Sequence, residues 1–105
     1  MIVERLTFKA QYGQGDALAA LFKEFMETHG KALGVTSGRM YTDVTGPMFT
    51  LQLEMEFEDL TSYAAFMAAD QQLYTTQEFQ DWFGKTVSLT KSGERQILNV
   101  TTYPA

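Results

Sequence analysis

The stretch Phe49–Phe57, with the sequence FTLQLEMEF, decides the fold of this 105-residue chain. Its apolar and polar residues alternate strictly, which is typical of a β-strand that buries one face and leaves the other polar. The apolar positions are Phe49, Leu51, Leu53, Met55 and Phe57. The polar positions are Thr50, Gln52, Glu54 and Glu56. We therefore expect a sheet with one face packed against other elements.

The chain before this stretch predicts a strand followed by a helix. Ile2–Ala10 alternates in the same way, except that Glu4 interrupts its apolar face. Asp16 is a suitable N-cap, because its carboxylate can accept from free amides of the first helical turn. Apolar residues then recur every three or four positions, as on one face of a helix. We expect this helix to end at Gly30 or at Gly34.

The second half of the chain repeats the order of helix and strand. Asp59 is predicted to cap a helix, whose pattern lapses at Asp70–Gln72. A further helical stretch follows, since Thr75 and Glu78 have the spacing of a capping box. Lys91–Gly93 is predicted to be a loop. The four predicted strands are Ile2–Ala10, Val35–Thr45, Phe49–Phe57 and Glu94–Tyr103.

The resulting order, βαββαβ, predicts one ferredoxin-like α+β domain over residues 1–105, with helices on one face of a four-stranded antiparallel sheet. The other face is polar, and Arg5 and Lys9 are expected to lie across from Glu54 and Glu56. Two interpretations of this face stay open. It is either a solvated surface or the contact at which two copies form a homodimer that encloses a polar-lined space.

Composition excludes several classes of partner. The formal charge is -5 and the sequence pI is about 4.7, so a nucleic-acid or anionic-membrane surface is not expected. No apolar run approaches the roughly 18 residues of a membrane span. The chain contains no cysteine, which predicts a reducing, cytoplasmic location and removes thiolate ligands or nucleophiles.

Four stretches, taken together, resemble a known family. Met1–Phe8 resembles the first strand of NIPSNAP-like proteins, and Met55–Tyr63 resembles their third strand running into a helix. Phe79–Phe83 and Glu94–Leu98 fit the same layout. The resemblance implies membership of the dimeric α+β barrel superfamily, in which two sheets form a barrel between subunits. Its relatives include antibiotic-biosynthesis monooxygenase-like, haem-degrading and stress-responsive barrel proteins, so the fold does not select a function.

Two residues are candidates for catalysis. His29 is the only histidine and lies on the apolar stripe of the first helix, so it is either a general base at a pocket or a packed residue at the helix end. Glu4 is a lone carboxylate on an apolar face. Burial there could raise its pKa, because an apolar environment disfavours the charged form. We expect no bound metal, because one histidine without cysteine needs carboxylate partners that show no ligand spacing.

Ligand-binding candidates lie mostly on the polar face. Arg5, Arg39 and Glu54 could form a polar patch in the barrel, with Tyr41 at its rim, or they could form a structural charge network. Trp82 is either a core aromatic or part of a binding site. Haem-degrading relatives resemble one another in a set of Asn, Trp and His. The only asparagine here is Asn99, on the last predicted strand, so we predict no haem and no other cofactor.

Two functions remain open at this stage. The chain is either a homodimeric barrel that binds a small organic molecule in the barrel cavity, with cofactor-free monooxygenase or isomerase activity on it, or a non-catalytic interaction or structural dimer. A cavity lined by convergent polar groups would favour the first function, and a solidly packed interior would favour the second.

Overall fold

The computed structural model describes residues 1–35 and 37–104. The elements are β1 (Ile2–Ala10), α1 (Gly15–His29), β2 (Gly38–Thr42), β3 (Thr50–Phe57), α2 (Leu60–Leu73), α3 (Gln77–Leu89) and β4 (Thr90–Asn99). In this part of the chain the strands form one antiparallel sheet in the order β2-β3-β1-β4. The predicted ferredoxin-like α+β fold is therefore confirmed.

Strand β3 lies inside the sheet and separates its two faces as predicted. Leu51 is fully buried, and the other apolar residues of β3 (Leu53, Met55 and Phe57) are also buried. The polar residues between them are only partly covered. Strict alternation thus gives β3 one apolar face for the helices, because successive side chains point to opposite sides of a strand.

The core beneath the helices consists of two clusters. One includes Phe57 and Phe66 below α2, and the other includes Leu18 and Leu51 below α1. Leu6 on β1 packs against both clusters. Burial of such side chains, worth roughly 1.5–3 kcal/mol each, holds α1 and α2 on the sheet.

Two of the helix starts are capped by side chains. Asp59 accepts a hydrogen bond from the amide of Ser62 at 2.8 Å, which confirms it as the N-cap of α2. The predicted capping box of α3 is wrong by one residue: Thr76, not Thr75, accepts from the amide of Phe79, at 3.2 Å. The hydroxyl of Thr75 instead donates to a carbonyl of the preceding turn.

Helix α1 begins earlier than its sequence suggests. Gln14 occupies the N-cap position, so Asp16 lies inside the first turn and the prediction that it caps the helix is wrong. A carboxylate in the first turn is still favourable beside the free amides there. The helix ends at His29 and Gly30 is its C-cap, as the earlier of the two predicted ends required. Gly34, at φ 85°, lies in the turn that follows.

The predicted bounds of β2 and β4 need correction. Of the predicted strand Val35–Thr45 only Gly38–Thr42 is paired, and Thr36 lies outside the described residues, as Ala105 does. Strand β4 follows α3 directly, so Lys91–Gly93 is strand and not loop. Gly93 pairs with Phe8, and a Cβ on Gly93 would come within 3.0 Å of the Phe8 ring. The glycine therefore marks a close approach and not a break.

The register corrects one predicted charge pair. Arg5 pairs with Glu54 as expected, whereas Lys9 lies opposite Thr50 and Glu56 lies opposite Val3. Antiparallel pairing fixes this result, since each step towards the end of β1 is a step towards the start of β3. Among the described residues, no helix has both the length and the apolar character needed to cross a membrane.

Candidate ligand-binding site

A cavity of about 560 Å³ lies between the helices and the apolar face of the sheet. Its lining includes Glu4, Phe8, Phe25, Trp82, Thr86 and Arg95, and we call it the sheet–helix cavity. It forms because α1 packs on β1, β2 and β3 and α2 on β3, whereas α3 packs mainly on α1 and more sparsely on β4, which remains largely exposed. The space over β1 and β4 is thus only partly filled. Its volume lies in the range of roughly 300–1,000 Å³ that is usual for small-molecule sites.

Stacked aromatic rings form the helical wall of the sheet–helix cavity. The Trp82 ring stacks on Phe25 at a centroid distance of 4.3 Å and meets Phe22 edge-on at 5.2 Å. Phe22 in turn stacks on Phe8 of the sheet at 4.8 Å. The indole N–H of Trp82 donates to the carbonyl of Leu21 at 2.9 Å. This bond satisfies the only polar atom of the ring, which leaves an apolar surface of fixed orientation.

Glu4 supplies a buried carboxylate to the cavity lining, whose other charged residues are half-buried or exposed. Its side chain is only 2% exposed and both of its contacts are made through Oε2. The Tyr63 hydroxyl donates to Oε2 at 2.5 Å, and Nε of Arg95 lies 3.5 Å from the same atom. Burial, and next the bond to Glu4, raises the pKa of Tyr63 to about 12. Tyr63 therefore stays a protonated donor at neutral pH.

A second carboxylate–tyrosine pair lies on the helical side of the cavity. Tyr74 and Asp70 both line it, and the Tyr74 hydroxyl donates to Asp70 Oδ2 at 2.7 Å. Burial, followed by the hydrogen bond to Asp70, raises the pKa of Tyr74 to about 12. Tyr74 is 41% exposed, in contrast to Glu4, so this pair is accessible from solvent.

Four of the predicted site residues meet on the opposite side of the sheet. We call this side the open face, and on the two central strands it comprises Val3, Arg5, Thr7, Lys9, Thr50, Gln52, Glu54 and Glu56. Arg5 forms an ion pair with Glu54 at 2.6 Å, and the Tyr41 hydroxyl donates to Glu54 at 2.8 Å. Arg39 lies opposite Glu54 on β2. Hydrogen bonds from Arg5 and then Tyr41 hold the pKa of Glu54 below its ordinary value.

His29 is placed at the end of α1 and is not among the residues that line the sheet–helix cavity. Its Nε2 lies 3.2 Å from Oε1 of Glu78 on α3, and its ring lies against Phe25 at 4.9 Å. The contact with Glu78 ties the end of α1 to the start of α3, whereas the contact with Phe25 lies within α1. A general-base role for His29 stays a prediction, with Glu78 as its polar neighbour.

The structure thus divides the seven predicted site residues into three groups. Glu4 and Trp82 line the sheet–helix cavity. The other four lie together on the open face, where Arg5 and Tyr41 contact Glu54 and Arg39 is its neighbour on β2, and His29 stands apart. Sequence reasoning did not select Tyr63 or Arg95. The signal for them was the lone carboxylate at position 4, because a buried carboxylate requires hydrogen-bond donors nearby. Among the described residues, no group of three or more acidic or histidine side chains is arranged to hold a metal ion.

Comparison with known proteins supports the fold at low sequence identity. The chain matches no protein-family model and no curated protein. A NIPSNAP family protein of unknown function from Agrobacterium tumefaciens superposes with a TM-score of 0.80 at 19% identity, over 99% of this chain and 91% of the other. A second NIPSNAP family protein from that organism gives 0.78 at 20% identity, over 97% and 94%. An antibiotic biosynthesis monooxygenase gives 0.66 at 12% identity, over 97% and 100%.

These likenesses define the class of fold to which the chain belongs. The chain has the ferredoxin-like α+β fold that NIPSNAP family proteins share with an antibiotic biosynthesis monooxygenase. The resemblance found in the sequence is thereby confirmed for the fold. Since one such fold carries several activities, function has to be argued from the site.

Proposed function

We propose that this chain is a NIPSNAP-like protein that binds a small, largely apolar organic molecule in the sheet–helix cavity. The observation that carries the proposal is a cavity of about 560 Å³ with a wall of stacked rings and, among the described residues that line it, one deeply buried carboxylate. Apolar pockets with a few convergent polar groups are the usual form of small-molecule sites. A solidly packed interior would instead have favoured the purely structural role.

The lining favours a ring-bearing ligand. Phe25 and Trp82 present flat apolar surfaces, and Phe83, which also lines the cavity, is 52% exposed. An aromatic or alicyclic ring would cover these surfaces and remove apolar area from water, at roughly 25 cal/mol per Å². The monooxygenase or isomerase chemistry implied by the family resemblance would act on a molecule held in this same place. Binding is thus the first property to test.

N-phenyl-1-naphthylamine, a neutral dye whose emission increases in apolar surroundings, is a suitable probe. We expect saturable binding of one dye per chain, with the rise in dye emission matched by loss of emission from Trp82, the only tryptophan. Trp82 lies in the wall of the cavity, so a dye bound there quenches its emission by energy transfer, and the substitutions below establish where on the chain the dye binds. Absence of saturable binding would contradict the proposal.

Two phenylalanine substitutions in α3 provide a matched test of location. Thr86 is 5% exposed and lines the cavity, whereas Ser88 is exposed and does not line it. Each hydroxyl donates to the carbonyl three residues earlier, at 2.8 and 2.7 Å. Thr86→Phe therefore fills the cavity and should weaken dye binding about tenfold, while Ser88→Phe should leave it unchanged. Equal effects of the two variants would place the dye elsewhere.

We further propose that two copies associate through the open face, as the resemblance to dimeric barrels implies. The support is that the described helices all lie on the other side of the sheet, so a polar but only half-exposed surface remains uncovered. A stable dimer buries about 1,200–2,000 Å² in total. Burying Arg5 and Glu54 there is tolerable because they already neutralise one another.

The dimer is tested by measuring mass in solution over a range of protein concentrations. We expect the mass of two chains for the native protein and a shift towards one chain for Arg5→Glu, which places like charges at Arg5 and Glu54. Ser88→Phe, which alters an exposed residue on the helical side, serves as the control. A single-chain mass for the native protein at every concentration would refute the dimer and leave ligand binding unaffected.

A further inference from the structure

We infer that Glu4 recognises a hydrogen-bond donor on the bound molecule, so that the ligand is an apolar ring compound carrying a hydroxyl or amino group and not a carboxylate. The inference rests on the proposed function, because it concerns what binds in the sheet–helix cavity.

Only one of the two Glu4 oxygens is used by the protein. Tyr63 and Arg95 both contact Oε2, and Oε1 has no hydrogen-bond partner among the described residues. Glu4 nevertheless lines the cavity and is 2% exposed. Among the described residues no fully buried side-chain oxygen lacks a hydrogen-bond partner, so Oε1 is not sealed in the interior but is open to the cavity that Glu4 lines. A carboxylate oxygen can accept two hydrogen bonds, and the donor for Oε1 therefore comes from whatever occupies the cavity, which is water in the free protein and a polar group of the ligand in the complex.

The surroundings of Glu4 determine which donor suits it. Tyr63 does not line the cavity and reaches Oε2 from α2, where it packs against Phe57 and Phe66. It therefore acts as a positioning residue that fixes the carboxylate plane. The neighbouring wall from β1 is apolar, with Leu6 and Phe8. A ligand donor at Oε1 would thus extend from an apolar body, and its bond would be strengthened by the low dielectric.

An anionic ligand would be disfavoured at this point. A second carboxylate next to Oε1 would bring two negative charges together inside the cavity, which weakens binding because like charges repel. Arg95 does not reverse this argument, because its Nε lies on the Oε2 side and its side chain is 52% exposed. Lys91 also lines the cavity but lies on the exposed strand β4. These cations are the one alternative that the test must exclude.

Indane, 2-indanol and indane-2-carboxylate are suitable probes, because they share one ring frame and differ at one substituent. We expect calorimetry with the native protein to give the highest affinity for 2-indanol, about tenfold above indane, and the lowest for the carboxylate. Equal affinity for indane and 2-indanol would overturn the inference, and tightest binding of the carboxylate would assign recognition to Arg95 or Lys91. Binding of none of the three would instead contradict the proposed function.

Variants locate the preference at Glu4. Glu4→Leu should bind indane at least as well as the native protein and lose the preference for 2-indanol, whereas Glu4→Gln, which keeps a carbonyl acceptor, should retain part of it. Tyr63→Phe leaves the cavity lining intact and should reduce the ratio of the two affinities by loosening the carboxylate. A ratio that stays at its native value in Glu4→Leu would refute the assignment. The native protein alone gives the ratio of the affinities for 2-indanol and indane, so the test of the inference does not depend on the folding of any variant.

Discussion

Removal of the Tyr63 hydroxyl should destabilise the fold through Glu4. Tyr63→Phe deletes the 2.5 Å hydrogen bond to a carboxylate that is 2% exposed, and only the 3.5 Å approach of Arg95 remains. A hydrogen bond to a charged group contributes about 1.5–3 kcal/mol, so we expect a loss of about 2 kcal/mol in the free energy of unfolding. At about 4–8 °C per kcal/mol for a domain of this size, the melting temperature should fall by about 8–16 °C.

Tyr74→Phe is the matched control for this prediction. Tyr74 also donates to a carboxylate, that of Asp70, at 2.7 Å, but Tyr74 is 41% exposed and water can replace its hydroxyl. We expect a loss below about 0.5 kcal/mol. Urea unfolding at one fixed protein concentration, followed by Trp82 fluorescence and circular dichroism, measures the loss for each variant. The comparison requires that the free energy of unfolding has the same slope against urea concentration in every variant.

A double-mutant cycle then identifies the partner. In a Glu4→Leu background, both members of the pair are apolar after Tyr63→Phe, and the cost of the tyrosine change should fall below about 0.5 kcal/mol. Equal losses for Tyr63→Phe and Tyr74→Phe in the native background would refute the reasoning. So would a Tyr63→Phe cost that is unchanged when Glu4 is leucine, because the hydroxyl would then act through another group.

Three further predictions concern stability. Thr76→Ala should lower the free energy of unfolding by about 1 kcal/mol in urea titrations, and more than Thr75→Ala, because only Thr76 caps α3; equal losses would contradict this. The hydrogen bond from Arg5 lowers the pKa of Glu54 from its ordinary value of 4.5. The pair of Arg5 and Glu54 therefore adds about 0.5–1 kcal/mol to the free energy of unfolding above pH 4.5, and this stabilisation is lost as the pH falls below that value. Glu54→Gln should remove that acid dependence, and an unchanged acid titration would exclude the pair as its source. The pKa of Tyr63 is raised from 10.0 to about 12. The hydrogen bond from Tyr63 to Glu4 therefore stabilises the fold in full below pH 10, and this stabilisation is lost as the pH rises through 12. Tyr63→Phe should flatten the fall in stability across that interval, and an equally steep fall would contradict the assignment.

The alternation of β3 was enough to predict the sheet and its buried face. Side chains point to opposite sides of a strand whatever surrounds it, so Leu51 and Leu53 could be assigned from the sequence alone. Element ends were less predictable. Gly93 has the residue type of a loop, yet it lies in β4 because the Phe8 ring crosses it, and that contact joins residues far apart in the sequence.

The cavity itself could not be predicted from the sequence. Phe25 and Trp82 have the spacing of core residues, and whether a core is filled depends on how far the helices cover the sheet. Glu4 was the exception that could be identified, because a carboxylate on an apolar face is unusual. Its partner Tyr63 comes from α2, and helical spacing gives no indication of which strand residue a tyrosine will contact.

The resonance of the Trp82 indole N–H tests the central claim most directly, because the chain has one tryptophan and it lies in the cavity wall. In a nitrogen-15-labelled sample, titration with 2-indanol should move this single resonance progressively to saturation, together with amides of β1 and α3 that flank the cavity. The claim would be contradicted if the indole resonance stayed in place at saturating 2-indanol while only amides of the open face moved.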